Sequence, residues 1–592
     1  MLKKFFLVVC GSFVGVWLAL TVFTIISVIM SFVIFGSMQM SSSSKSIESK
    51  SILYIKLAGP IPERSKTSEQ LFIEELRGGD KTSSSLSAIL ASIKKAKDND
   101  KIKGIFIDCQ GSTAAPATLY EIRQAVKDFK SSKKFVYAYG DQGIDQSDYY
   151  VATAADSIFL NPIGAVDIHG MQITTMFYKK LLAKVGVGVQ VIRVGAFKSA
   201  VEPYILDSIS PANRLQQQHF IGTIWKSMAD SIAGSRHLTA AKINQLADSM
   251  VVLMPADTLV SQKVIDGVCY RSEFENKLRK LTDVDEKDDL NLVYPEDIAT
   301  DLSDGSGSSK IAIVYAVGEI DGIFSQDGIS SEDLIETIRE LQFDDDVKGI
   351  VFRVNSPGGS AYGSEQIWKA LDEFKKSGKT LAVSMGDYAA SGGYYISCGA
   401  QRIFAEPVTI TGSIGIFGMI PSFKTLTEDK LGITQSVVET NANSDFGNVT
   451  KDLTPAQTAA LQNMINRGYD LFTKRCAAGR NVSQDSIKKI AQGRVWDAIT
   501  AKKIGLVDEF GGIAEATKWV ANKAGLKEGS YKTVIYPKAD DSWQALLNQY
   551  ASTKYEQELQ NNMGMFYQYY DEVKEVLGRK RVLCLMEPFE IK

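Results

Sequence analysis

Lys348-Gly349-Ile350-Val351-Phe352 repeats an earlier stretch, Lys103-Gly104-Ile105-Phe106-Ile107. The echo continues along the chain. Tyr139-Gly140-Asp141 matches Met385-Gly386-Asp387, and Asp148-Tyr149-Tyr150 matches Gly393-Tyr394-Tyr395, at a constant offset of about 245 residues. That period is far too long for a solenoid repeat and predicts a duplicated domain. The seam falls at 301–309, a Ser/Gly/Asp-rich run with linker composition. Each copy reads as alternating strands and helices. In the later copy, Leu334, Ile338 and Leu341 share one helical face behind a Ser330 N-cap, and a buried-type strand follows at Ile350–Val354. A helix with Ile367, Leu371 and Phe374 in register comes next, then a strand at Leu381–Met385. The earlier copy repeats this order around Leu86–Ala96, Ile105–Ile107, Leu119–Phe129 and Phe135–Tyr139. Strand–helix–strand units with short turns build right-handed crossovers and a largely parallel sheet, so the predicted class is α/β, twice over.

The expected organisation is a membrane anchor at 1–40, a linker at 41–50, a first domain at 51–300, the linker at 301–309, a second domain at 310–540 and a tail at 541–592. The anchor follows from the N-terminus. Lys3 and Lys4 precede an almost uncharged apolar run from Phe5 to Phe35. A secretory signal has an apolar core of only about 7–15 residues. As a helix this run spans roughly 45 Å, enough to cross a bilayer with some tilt. The lysines favour a cytoplasmic N-terminus and a body on the opposite side. Small residues at Gly36 and Ser37 leave cleavage as the alternative.

Composition narrows the function classes. The 592 residues are 45% hydrophobic and 23% charged, with a net charge of −3 and basic residues spread along the chain, which argues against a nucleic-acid partner. Six scattered cysteines include no CxxC or zinc-ligand spacing, and no motif calls for a metal or nucleotide cofactor.

Two glycine-rich turns follow strands of the second copy: Asn355-Ser356-Pro357-Gly358-Gly359-Ser360 and Ala389-Ala390-Ser391-Gly392-Gly393-Tyr394. Ligand sites of parallel α/β sheets gather at such strand ends. Either turn alone is accounted for by tight strand–helix geometry. Together they also fit a nucleophilic serine with small neighbours and backbone N–H groups able to face an oxyanion. The three histidines, His169, His219 and His237, all lie far from Ser391 in sequence. Lysine is the alternative base, and its pKa must then fall from about 10.4 to near 7–8 by burial. Lys198, within Val194-Gly-Ala-Phe-Lys-Ser-Ala-Val201, has the small and apolar neighbours this requires, although an exposed loop lysine fits the same string.

Four strings resemble those of the long, duplicated form of bacterial signal peptide peptidase A, of the Clp-protease/crotonase-like fold group. They are Gly195-Ala-Phe-Lys-Ser-Ala-Val-Glu-Pro203, Asn355-Ser-Pro-Gly-Gly359, Ala390-Ser-Gly-Gly-Tyr-Tyr395 and Thr411-Gly-Ser-Ile-Gly-Ile-Phe-Gly418. The resemblance covers nearly everything from the apolar run to about residue 540. It implies Ser391 as acylated nucleophile, Lys198 as general base, an oxyanion hole at Gly358, Gly359 and Gly392, and Ser413 orienting the lysine. It also implies cleaved signal peptides and other membrane-associated peptides as substrates, a homo-tetramer around an apolar chamber, and a bacterial inner-membrane location with an extracytoplasmic body. The copies are complementary. Opposite Ser391 the first has Gln146, its glycine turn reads Gln110-Gly-Ser-Thr-Ala-Ala115, and opposite Lys198 the second reads Thr440-Asn-Ala-Asn-Ser-Asp445. One dyad per chain, shared between the copies, is the expectation. The competing readings are a silent peptide-binding scaffold of the same fold and a crotonase-type enzyme acting on an acyl thioester. The aromatic stretch Tyr550–Val576 and the apolar Val582–Met586 are expected to pack on the body or a neighbouring subunit, with the membrane as the alternative.

Overall fold

The computed structural model describes residues 47–65, 84–298, 307–322, 328–537 and 582–586. The apolar run Phe5–Phe35, most of the seam and most of the tail lie outside them. Among the described residues no helix is long and apolar enough to cross a membrane.

The first copy contributes strands β1 (Ser51–Gly59), β2 (Ile102–Ser112), β3 (Phe135–Gly140), β4 (Ser157–Leu160), β5 (Gly188–Arg193), β6 (Gly267–Val268) and β7 (Leu292–Val293). Its helices include α1 (Leu86–Asp98), α2 (Pro116–Phe129), α3 (Gln146–Ala152) and α4 (Pro211–Arg236). The second copy contributes β8 (Ser309–Val317), β9 (Val347–Ser356), β10 (Gly358–Ser360), β11 (Thr380–Ala390), β12 (Ile410–Gly412), β13 (Phe417–Ser422), β14 (Val495–Asp497), β15 (Tyr531–Tyr536) and β16 (Val582–Leu585). Its helices include α5 (Ser331–Phe343), α6 (Ala361–Lys376) and α7 (Gly392–Ser397).

Two sheets carry the duplication. One has the order β6-β4-β3-β2-β1-β7, and the other β14-β12-β11-β9-β8-β15, with Arg402–Ala405 also pairing β11. The three central strands of each run parallel, β1-β2-β3 matching β8-β9-β11. Ile350, Val351, Phe352 and Val354 are fully buried, as expected of a parallel strand covered on both faces. The Ser330 hydroxyl accepts the Asp333 N–H and caps α5, whose Leu334, Ile338 and Leu341 enter the core. The repeated Lys-Gly motif has a steric cause. A Cβ on Gly104 would stand 2.5 Å from the Phe135 carbonyl, and one on Gly349 2.7 Å from that of Thr380, so each sheet needs glycine where the next strand begins.

A third sheet joins the copies. In the order β10-β16-β13-β5 it sets β5 of the first copy antiparallel to β13 of the second, while β16 runs antiparallel between β13 and β10. The described residues from Lys50 onward accordingly pack as one unit.

Candidate active site

Strand β11 ends at Ala390, and the chain turns sharply into α7 through Ser391 at φ +56°, ψ −114°. A non-glycine residue there is strained and persists only if its surroundings hold it. They do so on both sides: the Ser391 N–H donates to Gly412 O of β12 at 2.8 Å, and its carbonyl accepts Tyr395 N–H at 2.8 Å. This strand-to-helix elbow projects Oγ from the end of the sheet.

Lys198 follows β5 on a loop pinned by Phe197 N–H to Gln492 O at 3.0 Å and by Arg193 Nη1 to Lys198 O at 3.1 Å. It is only 1% exposed, which excludes the exposed-loop alternative. Its Nζ lies 2.7 Å from Ser391 Oγ and 3.0 Å from Ser413 Oγ, and donates to Ser413 O at 3.2 Å. Ser413 is itself fixed at φ +49° by its N–H to Arg494 O at 2.7 Å. The structure therefore brings Ser391, Lys198 and Ser413 together from three distant segments.

The glycine turn forms β10 beside them. Gly358 (φ +113°) and Gly359 (φ +148°) hold conformations closed to other residues, and a Cβ on Gly359 would meet Ile320 O at 2.2 Å. The Gly358 N–H is directed to Ser356 Oγ at 3.2 Å. Gly392 opens α7, where first-turn N–H groups have no intrahelical acceptor. The histidines stand elsewhere: His169 pairs with Asp167, His219 bonds Thr500, and His237 ends α4 in the left-handed conformation. Among the described residues no cluster of His, Cys, Asp or Glu could hold a metal ion.

The matching place in the first copy is filled by its own side chains. Gln146 accepts the N–H groups of His169 and Gly170 at 3.0 and 2.9 Å and donates to Gly170 O at 2.8 Å. Asp148 accepts the N–H groups of Gly111 and Ser112 at 2.8 and 3.0 Å. Burial raises the Asp148 pKa to about 7, although those backbone bonds pull it back.

Sequence reasoning passed over a buried polar cluster under the site. Arg353 of β9, fully buried, donates to both oxygens of Glu63 at 3.0 Å and to Glu121 at 2.6 Å, both first-copy residues. The available signal was an arginine inside the apolar run Ile350–Val354, since a buried charge demands partners.

A serine on a strained strand–helix elbow, with an amine at hydrogen-bond distance and a glycine turn alongside, defines the class of α/β serine hydrolases. Within that class the chain belongs to peptidase family S49, whose profile matches it twice, over 128–285 and 373–527. Protease 4 of Salmonella typhi is 34% identical over 507 residues, covering 83% of this chain and 81% of that protein. Protease 4 of Haemophilus influenzae is 35% identical over 440 residues, 72% and 71% of the two chains. The chloroplastic serine protease SPPA of Arabidopsis thaliana is 27% identical over 462 residues, 76% and 67%. The chain is a serine peptidase of duplicated S49 architecture.

Proposed function

We propose that Ser391 and Lys198 form a catalytic dyad in a membrane-anchored endopeptidase that degrades cleaved signal peptides and other membrane-associated peptides. The observation that carries it is the 2.7 Å separation of Lys198 Nζ from Ser391 Oγ. Neutral Lys198 takes the Oγ proton as Oγ attacks the peptide carbonyl carbon. The oxyanion develops beside the turn of Gly358 and Gly359 and the start of α7 at Gly392. The ammonium of Lys198 then protonates the departing amine. In the second half-reaction the amine takes a proton from the attacking water and returns it to Oγ as the acyl–oxygen bond breaks.

The mechanism needs the amine uncharged when it acts. A lysine 1% exposed, with two serine hydroxyls and a carbonyl around its Nζ, sits where the ammonium is poorly solvated. Ser413 orients the amine through its hydroxyl and carbonyl. The run Phe5–Phe35 supports the anchor, and the family resemblance supports the signal-peptide substrates, the homo-tetramer and the extracytoplasmic side of a bacterial inner membrane.

Peptide hydrolysis by the wild-type protein, Ser391→Ala and Lys198→Ala tests the dyad. Each variant is expected to lose about 10³-fold or more in kcat with the fold intact by circular dichroism. Turnover retained by either would sink the assignment.

A further inference from the structure

Strands β9 and β11 carry the glycine turn and the nucleophile, and they do not pair evenly. Gly349 lies opposite Thr380 and the register holds to Val354 opposite Met385, but Ser356 then lies opposite Ala389. On β11 the three residues Gly386-Asp387-Tyr388 face Asn355 alone, and this surplus of two forms a bulge. Bulges free backbone groups from the ladder, and here side chains engage them. Asn355 Oδ1 accepts the Tyr388 N–H at 3.1 Å, and Thr409 Oγ1 donates to Gly386 O at 2.8 Å.

The other end of the Asn355 amide faces the first copy. Its Nδ2 donates to Glu63 Oε1 at 2.9 Å and to Asp387 Oδ2 at 3.3 Å. Asp387 in turn accepts the Thr118 N–H at 2.9 Å and the Thr118 hydroxyl at 2.8 Å. Glu63 and Thr118 come from the first copy. Asn355 stands four residues before Gly359, and Asp387 four before Ser391. At the matching place of the first copy, Gln110 donates to Asp108 of its own strand at 2.9 Å, a contact confined to that copy.

We propose that Asn355 is a positioning residue for the reaction. Held by Glu63, it fixes the bulge that aims Ser391 and the entrance to the turn that receives the oxyanion. The first copy therefore acts on the site twice, through Lys198 and through the Glu63–Asn355 and Thr118–Asp387 contacts. An amide suits position 355 because it accepts on one side and donates on the other. A carboxylate would face Glu63 and Asp387, and an apolar side chain would leave the Tyr388 N–H without its acceptor. The inference rests on the Ser391–Lys198 reading.

The test uses the full-length protein with Asn355→Ala and Thr118→Val. A fluorogenic peptide gives kcat and KM, with active serines counted by a fluorophosphonate. A peptide aldehyde, which forms a tetrahedral adduct on serine, is compared with the amide of the same sequence. Asn355→Ala is expected to lower kcat per active serine about 10²-fold, and Thr118→Val roughly 3–10-fold, with KM within about threefold. Aldehyde affinity should fall in step with kcat, and amide affinity should not. A role confined to stability would lower the melting temperature and leave kcat per active serine unchanged. That outcome, within about twofold of wild type for both variants, overturns the inference. If Asn355→Ala does not fold, Thr118→Val decides from the opposite side. Turnover retained by Ser391→Ala or Lys198→Ala overturns the dyad itself. An inactive dyad pair beside fully active Asn355→Ala and Thr118→Val overturns the positioning role alone.

Discussion

Ser391 and Gly359 meet the same demand from opposite directions. Ser391 is forced to φ +56° because its hydroxyl must leave the sheet at the elbow, and two backbone hydrogen bonds hold it there. Gly359 at φ +148° has Ile320 O directly where a Cβ would be, so alanine there must push the backbone away. Gly359→Ala is therefore expected to reduce kcat by about 10²-fold or more and to lower stability by roughly 1–3 kcal/mol, checked by steady-state kinetics and thermal melting. At this scale the sequence was informative about Ser391 and the glycines, because small residues in a row after a strand have few other uses. Lys198 was named through the family resemblance of its string, since its neighbours alone fit an exposed loop equally well. Only the fold shows that this one among many lysines is buried against a serine hydroxyl.

Among elements, the strand β16 has the clearest consequence. It lies antiparallel to β10 with Gly359 opposite Cys584, and the Met586 N–H donates to Pro357 O at 2.9 Å. Its other edge pairs β13. With β16 on one side of the glycine turn, Ile320 on the other and Ser391 at 0% exposure, the described residues leave no strand edge there for an extended peptide to join. Deleting 582–592 is expected to lower KM for a peptide substrate severalfold. A synthetic peptide spanning 578–592 should inhibit the shortened protein competitively. An unchanged KM would make β16 a fixed wall of the cleft. The central strands were legible as apolar runs between turn residues, and the Ser330 cap and α5 face stand as expected. The third sheet was not legible. Its strands β5, β10, β13 and β16 come from distant parts of the chain, and short strands paired so remotely leave no periodic signal.

For the whole molecule, the contact between the copies is polar at its centre. Arg353 is enclosed by Glu63 and Glu121, with Asp387 also acting on Glu121. Burial, opposed by Arg353 and reinforced by Glu63, raises the Glu121 pKa to about 7. Burial, then Glu121, holds Glu406 well above the carboxylate range. The sign follows directly. Below about pH 4 folded and unfolded chains both hold the Glu121 proton, whereas between about 4 and 7 only the folded chain does, so the contribution of Glu121 to stability falls as pH rises and levels off above about 7, and Glu406 acts in the same direction. Glu121→Gln keeps an acceptor for Arg353 and removes the buried charge. Its loss of stability between pH 5 and pH 8 should be about 1–3 kcal/mol smaller than that of wild type in denaturant titrations. Equal losses would place the pH dependence elsewhere. Removing Arg353 instead would strand two buried carboxylates, the costlier change.

The sequence by itself determined the duplication, the α/β class and the two glycine turns. These follow from local properties: the period of apolar residues, the Lys-Gly pair at a crowded strand entrance, and runs of small residues after strands. Only the tertiary structure decided that Lys198 meets Ser391, that Gln146 and Asp148 fill the matching place in the first copy, and that Glu63 reaches Asn355. Each of these depends on side chains brought together from far apart in the chain, and burial in the assembled body gives a residue surroundings that its sequence neighbours do not specify.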